Sequence, residues 1–348
     1  MAIGRAKQAL FAVVTLLGVV IAIELLAAWL HWATTRPRGT PFVTVHLLRH
    51  GLAGLERGPV QRSSEPSPLF ATDPRLGYTI LPGRYRVRLG GDGGRALAFT
   101  ATIGADTTRA TGPQPDAPGA ATRPTVLVFG DSYAWGWGVD DESSFPWIVQ
   151  AGLPDRRVVN FAQNGYGHLH VLQQMEDRRA VVASAAHVVV AYGDFLERRN
   201  MPAPSRLREF RILRDAWGRP ALAGAFHPSA RLREDGTLER GRVPMGCDDN
   251  AWCDLPEPSR EELHRLTGRL LAEIRAVRGA GPLTLAWLAG EDDAPVVAAA
   301  RADGWIVCDM RPRADLHEWQ DLAPFDPHPG PLAQAKYGIK LLECLRRQ

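Results

Sequence analysis

A hydroxyl, a carboxylate and an imidazole stand at two distant places in this chain. Ser132 comes two residues after Gly130, where the apolar run Val126–Phe129 stops. Asp326 and His328 lie near the other end, two residues apart, so in an extended segment their side chains project to the same side. A serine becomes nucleophilic when a histidine takes its proton, and a carboxylate can orient that histidine. These residue types therefore indicate nucleophilic acyl transfer.

Each feature also occurs in proteins without catalysis. A Gly-Asp-Ser triplet often begins a helix, with Asp131 or Ser132 as the capping residue, and an Asp-Pro-His-Pro segment is often only a loop. Here Ser132 follows the first strand of a repeating pattern, and His328 precedes a terminal helix. This joint placement favours a catalytic role. Asp131, Asp140 and Asp141 are predicted to be turn and cap residues rather than acids.

The elements that must position these side chains follow a regular alternation from Thr125 onward. The predicted strands are Val126–Phe129, Arg157–Phe161, His187–Tyr192, Leu283–Leu288 and Trp305–Asp309. The predicted helices are Phe145–Leu153, His168–Val182, Arg260–Val277, Ala294–Ala302 and Leu332–Arg346. Apolar strands between amphipathic helices predict an α/β fold whose parallel sheet is covered on both faces. Ligands bind such sheets beyond the carboxyl ends of the strands, which is where Ser132 falls.

Composition divides the preceding part of the chain. Residues 33–69 are rich in Arg, Gly, Ser and Pro, which predicts a stalk. Residues 70–112 hold strand-like runs split by Pro-Gly and Gly-rich turns, which predicts a small β subdomain. Residues 113–124 are predicted to be a linker. The main domain then covers residues 125–348, with a polar, Pro-rich insertion over the site at about residues 196–258.

Residues 1–32 are predicted to be a transmembrane anchor. Ala9–Leu30 is an apolar stretch with one charged residue, and about 20 apolar residues cross a bilayer as a helix. Trp29 and Trp32 stand where an interfacial aromatic belt would lie. We expect a single-pass protein of the inner (cell) membrane with its main domain outside the cytoplasm. The alternative is a cleaved signal peptide with Leu10–Ile23 as its apolar region, although no small-x-small cleavage site follows at the right distance.

The four cysteines suit a protein outside the cytoplasm, where an even count permits disulfides. Cys247 and Cys253 flank a short polar loop and predict a local disulfide. Cys308 lies in a strand-like run and Cys344 in the terminal helix, so a disulfide and two buried free thiols are equally compatible with the pattern. No Cys-x-x-Cys pair is present, which argues against a zinc site.

Charge and histidine content limit the partners. The chain has 41 basic and 38 acidic side chains and a net charge of +3, whereas a nucleic-acid-binding face needs a strong basic excess. His168 and His170 form an His-x-His pair without a third ligand at suitable spacing. They are therefore predicted to lie on a pocket rim or a helix surface. We expect no metal, no other cofactor and no nucleic acid.

Four more side chains near the candidate nucleophile or the middle strand have two interpretations each. Trp135 and Trp137 could form an aromatic platform for an acyl group or a sugar, or they could pack in the core. Arg198 and Arg199 could meet an anionic substrate, but a solvated surface is the expectation for both.

Three separated motifs give the chain a resemblance to the SGNH (GDSL-like) hydrolases. Val128–Val139 is similar to the first block of that family, Asn160–Gly167 to the second, and Asp326–Pro329 to the last. The resemblance covers about Thr125–Gln348 and implies a three-layer α/β/α fold and acyl-ester chemistry. Asp73–Gly77 and the strands after it also resemble, more loosely, a lead-in found in membrane-anchored members near polysaccharide pathways.

The resemblance further implies an oxyanion hole that contains the backbone amides of Ser132 and Gly165. The third donor in the family is the amide of an Asn that follows the middle strand, usually within Gly-x-Asn-Asp. This chain has Asp194 at that place, and a carboxylate there would repel an oxyanion. Asn200 from the following loop, or Asn164, is the candidate substitute.

These observations predict a serine-dependent acyl-ester hydrolase or O-acyltransferase that uses Ser132, His328 and Asp326. Its expected substrate is an acylated exported or envelope glycan. The alternative is a non-catalytic, membrane-anchored module that binds glycan or assists polysaccharide assembly on a hydrolase fold. A lipase or thioesterase acting near the bilayer is a third possibility.

Overall fold

The structure is a computed structural model that describes most of the main domain and part of the N-terminal segment. The described residues are 13–27, 29, 61–90, 96–113, 122–207, 217, 222–245, 256–290, 294–311, 322, 326 and 328–348. The chain divides into two compact units, residues 1–60 with 91–94, and residues 61–90 with 95–348. In the first unit, residues 13–27 form a helix whose apolar side chains are exposed all round. Over the described residues, every helix is too short or too polar to cross a bilayer.

The second unit contains every strand described below. The strands are β1 (Gln61–Glu65), β2 (Phe70–Asp73), β3 (Gly77–Ile80), β4 (Gly83–Gly90), β5 (Ala96–Ile103), β6 (Thr125–Phe129), β7 (Arg157–Asn160), β8 (His187–Gly193), β9 (Phe226–Leu232), β10 (Leu238–Pro244), β11 (Leu283–Ala289) and β12 (Ile306–Asp309). The helices are α1 (Ser132–Trp135), α2 (Phe145–Gly152), α3 (His168–Asp177), α4 (Arg179–Ser184), α5 (Arg260–Arg278), α6 (Pro295–Ala302) and α7 (Pro331–Arg346).

A five-stranded parallel sheet forms the centre of this unit. Its strand order is β12-β11-β8-β6-β7, and every residue of β8 is buried. Alternate side chains of the strands enter two separate hydrophobic clusters, one with α2 and α7 and the other with α3, α5 and α6. The fold therefore has three layers. The predicted α/β class and parallel sheet are confirmed, and the five strands begin and end within one residue of their predicted bounds.

The β-rich segment before the sheet differs from its prediction. β1 pairs with β4 along its whole length, so residues 61–65 belong to a sheet and the predicted stalk is wrong over that range. Tyr85, Val87 and Phe99 enter the same hydrophobic cluster as Trp135 and Trp137. The expected β subdomain is thus packed into the main unit. Most of the predicted stalk and linker lies outside the described residues.

A disulfide joins β12 to the terminal helix. It links Cys308 to Cys344 across 36 positions of sequence, so for this pair the interpretation as free thiols is wrong. Cys247 and Cys253 lie outside the described residues. Within the predicted insertion, the described residues include the antiparallel hairpin β9–β10.

Candidate active site

The turn between β6 and α1 presents Ser132 at the carboxyl end of the sheet. Gly130 has φ +156°, and a Cβ at this position would lie 2.6 Å from the Cβ of Ala191. Only glycine fits such a turn without strain. Asp131 then caps α1, since its carboxylate accepts a hydrogen bond from the backbone amide of Tyr133 at 3.1 Å. Ser132 is consequently the first residue of the helix, as a capping role for Asp131 predicts.

The structure brings Ser132, His328 and Asp326 together. The hydroxyl of Ser132 lies 2.8 Å from Nε2 of His328. Nδ1 of the same imidazole contacts Oδ1 of Asp326, and the backbone amide of His328 donates to that oxygen at 3.1 Å. Asp326 thus holds both the backbone and the ring of His328. The imidazole has one nitrogen toward a carboxylate and the other toward a hydroxyl, which is the arrangement that general-base activation of serine requires.

Two residues that the sequence did not single out for this task complete the surroundings of Asp326. The indole Nε1 of Trp137 donates to Oδ2 at 3.2 Å, and a guanidinium nitrogen of Arg62, on β1, lies 3.7 Å from the same oxygen. Burial raises the pKa of the Asp326 carboxyl, but the neighbouring imidazole of His328 and Arg62 more than offset this, so the net pKa is below its usual value. Asp326 is therefore held as a carboxylate beside the imidazole.

Two backbone amides at the site are available as donors. The amides of Ser132 and Gly165 make no hydrogen bond to any described residue. Gly165 has φ +83°, which places it in the left-handed region that favours glycine. The turn around it is fixed by Tyr78, whose hydroxyl donates to the Asn164 carbonyl at 2.8 Å, and by Arg206, which donates to the Gly165 carbonyl at 3.1 Å.

The side-chain candidates for a third oxyanion donor divide clearly. Asn200 is fully buried. Its oxygen accepts from the backbone amide of Leu169 at 3.0 Å, and its nitrogen contacts His168 and Thr267 at 3.4 Å. Asn200 thus supports the first turn of α3, and the expectation that it reaches into the site is wrong. The side-chain amide of Asn164 has no partner among the described residues and stays a candidate.

Arg199 contradicts the expectation of a solvated surface. Its side chain is only 10% exposed and lies over the ring of Phe195 at 5.3 Å. Its Nη1 donates to Oδ2 of Asp131 at 3.2 Å and to the carbonyl of Tyr166 at 3.1 Å. That Asp131 oxygen is itself 3.3 Å from the hydroxyl of Ser132. A buried ion pair therefore adjoins the candidate nucleophile.

Trp135 and Trp137 belong to the core rather than to an open platform. Both are buried, and both pack edge-on against Phe99. Trp137 has the additional contact with Asp326 described above. The interpretation as core residues is therefore correct, although one of the two also orients a residue of the site.

His168 and His170 are also buried, so the expectation of a pocket rim or helix surface is wrong for both. His170 stacks on Tyr166 with 4.2 Å between ring centroids and accepts from the Gly167 amide at 3.2 Å. Burial lowers the pKa of His168 to about 4 and that of His170 well below its usual value. These neutral rings pack beneath the turn that carries Gly165. No cluster of three potential metal ligands occurs among the described residues.

Comparison with known proteins gives similarities to solved structures alone. No protein-family model matches the chain, and no curated protein does. The chain is similar to TesA, with 16% identity over 64% of this chain and 99% of that one and a TM-score of 0.37. A lipolytic protein of the G-D-S-L family from Veillonella parvula DSM 2008 gives 15%, 64%, 99% and 0.37. Axe2, an acetyl xylan esterase from Geobacillus stearothermophilus, gives 13%, 64%, 94% and 0.36. The chemistry proposed below depends on the atoms of this site.

Proposed function

We propose that this protein is a serine-dependent acyl-ester hydrolase or O-acyltransferase. The observation that supports this most directly is the 2.8 Å contact between Ser132 Oγ and His328 Nε2, with Asp326 on the other nitrogen of the ring. Side chains from the two ends of the main domain make this contact. Helix capping by the Gly-Asp-Ser turn explains Asp131, but it does not explain an imidazole held against the next hydroxyl.

The reaction follows from the positions of these groups. His328 Nε2 accepts the hydroxyl proton as Ser132 Oγ attacks the ester carbonyl, and Asp326 stabilises the imidazolium that forms. The carbonyl oxygen becomes an oxyanion beside the amides of Ser132 and Gly165. Collapse of the tetrahedral intermediate breaks the ester bond, and His328 gives its proton to the departing alcohol. Water then releases the acyl group from Ser132 in a hydrolase, whereas a sugar hydroxyl does so in a transferase.

The test uses a fluorophosphonate probe, which labels activated serines. Full-length protein in detergent should be labelled on Ser132, and the Ser132→Ala variant should not be. Ser144→Ala is a matched control, since Ser144 is a buried serine whose hydroxyl donates to the Asp141 carbonyl at 2.7 Å and has no imidazole partner. Equal labelling of native protein and Ser132→Ala would refute the assignment.

We propose further that an N-terminal helix anchors the protein in the inner membrane, with the main domain outside the cytoplasm. The apolar stretch Ala9–Leu30 supports this, as do the apolar side chains of residues 13–27, which are 48–67% exposed and lie on all sides of the helix. A helix that is hydrophobic all round requires an apolar environment. The protein should stay with membranes during alkaline carbonate extraction, and deletion of residues 1–32 should release it.

The substrate that fits this location is an acylated exported or envelope glycan. The competing function is a non-catalytic glycan-binding or assembly module, which Asp194 favours because a carboxylate stands where the family has an amide donor. The two functions differ in one experiment. A hydrolase or transferase should form an acyl adduct on Ser132, visible as a mass increase of the intact protein, when it is exposed to candidate acyl donors. A binding module should retain glycan without any adduct.

A further inference from the structure

Arg199 lies between the two segments that carry the candidate oxyanion amides. Its Nη1 donates both to Asp131, the residue before Ser132, and to the carbonyl of Tyr166, the residue after Gly165. One guanidinium therefore fixes the distance between the two segments. It belongs to the 3₁₀ segment Asp194–Asn200 that follows β8, where the resemblance leads one to expect the missing amide.

The charge near the nucleophile requires a counter-charge. The carboxylate of Asp131 is buried, and its Oδ2 lies 3.3 Å from Ser132 Oγ. An oxyanion that forms on the acyl group bonded to this oxygen would be close to a second negative charge in a medium of low dielectric constant, where repulsion is strong. Arg199 binds that carboxylate at 3.2 Å. Its positive charge is thus at the place where negative charge would develop.

The rest of the guanidinium is free to donate. Nε and Nη2 of Arg199 make no hydrogen bond to any described residue. Neither atom is among the fully buried polar atoms without a partner, so each keeps contact with solvent-accessible space. The two bonds through Nη1 and the ring of Phe195 hold the planar group in one orientation. A fixed cation with unused donors beside a reacting atom stabilises a transition state without reorganisation.

We propose that Arg199 is the third oxyanion donor of this site, in place of the side-chain amide that the chain lacks. This inference rests on the proposed function, because it assigns a role in the same acyl-transfer step. Asn164 is the competing donor. Arg199 is favoured because its guanidinium is bonded to both segments of the hole and carries the charge that balances Asp131.

The test measures hydrolysis of 4-nitrophenyl acetate by the full-length protein in detergent. Arg199→Met should lower kcat by about 100- to 1000-fold with little change in KM, the loss typical of one oxyanion donor. Arg198→Met, a change at the neighbouring arginine, should keep kcat within about twofold, as is usual for sites away from the chemistry. Guanidinium ions should restore part of the activity of Arg199→Ala. A large loss in Asn164→Ala together with an active Arg199→Met would overturn the proposal.

A double variant separates a direct role from simple neutralisation of Asp131. Asp131→Asn keeps an N-cap residue, and Asp131→Asn with Arg199→Met removes both charges, so no buried charge is left unpaired. If Arg199 contacts the oxyanion, the double variant should be at least about 30-fold slower than Asp131→Asn alone, within the range for one lost donor. Equal rates in these two proteins would show that Arg199 acts only through Asp131, and the proposal would be wrong.

Failure of this inference differs from failure of the proposed function. If native protein neither hydrolyses the ester nor is labelled on Ser132, the proposed function is wrong and the role of Arg199 falls with it. If native protein is active and labelled, but Arg199→Met retains its kcat and its rate of labelling by the fluorophosphonate, the role of Arg199 alone is wrong.

Discussion

The orientation of the His328 imidazole depends on a single carboxylate, Asp326. That carboxylate is buried and receives the backbone amide and ring of His328, the indole of Trp137 and the guanidinium of Arg62. With both oxygens contacted, Asp326 has little freedom to rotate. The carboxylate therefore determines which imidazole nitrogen faces Ser132.

Asp326→Asn should lower kcat by about 10⁴-fold, because an amide in this place can stabilise the wrong tautomer of the histidine and cannot balance the imidazolium. Steady-state hydrolysis of 4-nitrophenyl acetate measures this, with circular dichroism to verify the fold. Trp137→Phe is the matched control. It removes one neutral donor from the same carboxylate and should cost no more than about tenfold, the equivalent of one hydrogen bond. A kcat for Asp326→Asn within tenfold of the native value would contradict the role given to Asp326.

The sequence predicted the residues of the site that are close to each other along the chain. Asp326 and His328 are two residues apart, and Ser132 ends an apolar strand, so local patterns were sufficient. Arg62 and Arg199 could not be found in this way. Each meets its carboxylate only after distant segments pair, and an arginine in a polar stretch has the same local pattern whether it is solvated or buried.

At the level of elements, Arg109 holds the loop that follows the candidate nucleophile. Its guanidinium is fully buried and bonds to Asp141 at 2.9 Å and to the carbonyls of Trp135 and Val139 at 2.8 and 2.6 Å. The backbone of Arg109 pairs with Asn160, at the end of β7. One side chain thereby ties the region after β5 to the end of α1.

Arg109→Met should lower the free energy of unfolding by about 3–5 kcal/mol, since it leaves the buried Asp141 without its cation. Urea unfolding monitored by tryptophan fluorescence measures the change. Arg269→Met is the control, because Arg269 pairs with Glu273 on the exposed face of α5, where such pairs contribute about 0.3–0.5 kcal/mol. Equal stability of the two variants would show that the buried pair is not what holds the loop.

The disulfide between β12 and α7 should stabilise the fold by restricting the unfolded chain. For a closed loop of 36 positions the expected contribution is roughly 4 kcal/mol. The double variant Cys308→Ser, Cys344→Ser should lose about this much in urea unfolding. Native protein treated with a phosphine reductant should lose a comparable amount. If neither treatment shifts the transition, the packing of α7 alone maintains this side of the sheet.

The elements differ in how far the sequence predicted them, and the reason is burial. The five central strands are nearly continuous apolar runs because both faces of the sheet are covered. β1 has the sequence Gln-Arg-Ser-Ser-Glu, which carries no hydrophobic period, and it forms because β4 offers an edge to pair with. The predicted helix His168–Val182 is divided into α3 and α4 at Arg178, a break for which neither glycine nor proline gives a signal.

At the scale of the whole molecule, several buried histidines couple folding to pH. Burial lowers the pKa of His168 and of His187 to about 4 and that of His227 to about 3. In an unfolded chain the imidazole pKa is about 6.5. Between these values the unfolded chain binds more protons than the native one. Stability from these residues is therefore complete above pH 6.5 and is lost as the pH falls.

Glu197 works in the opposite direction. Burial raises the pKa of its carboxyl to about 7, although the hydroxyl of Tyr192 donates to it at 2.6 Å. The native state thus holds a proton that the unfolded chain releases above its ordinary pKa of about 4.3. Its contribution to stability is present at low pH and is lost as the pH rises through about 7. One carboxyl therefore offsets part, but not all, of the effect of three imidazoles.

The free energy of unfolding should consequently fall as the pH is lowered from 6.5 to 4.5. Each histidine contributes up to about 1.4 kcal/mol per pH unit, and Glu197 opposes one of them. Urea unfolding of the full chain in detergent at several pH values measures the slope. His187→Gln should reduce the slope, because His187 donates or accepts one hydrogen bond with Thr284 at 2.6 Å that an amide can replace without titrating. Glu197→Gln should steepen the slope. A native protein whose stability is constant or greater toward pH 4.5 would mean that the histidines are protonated in the folded state, and the neutral, packed rings beneath the Gly165 turn would have to be reinterpreted as charged.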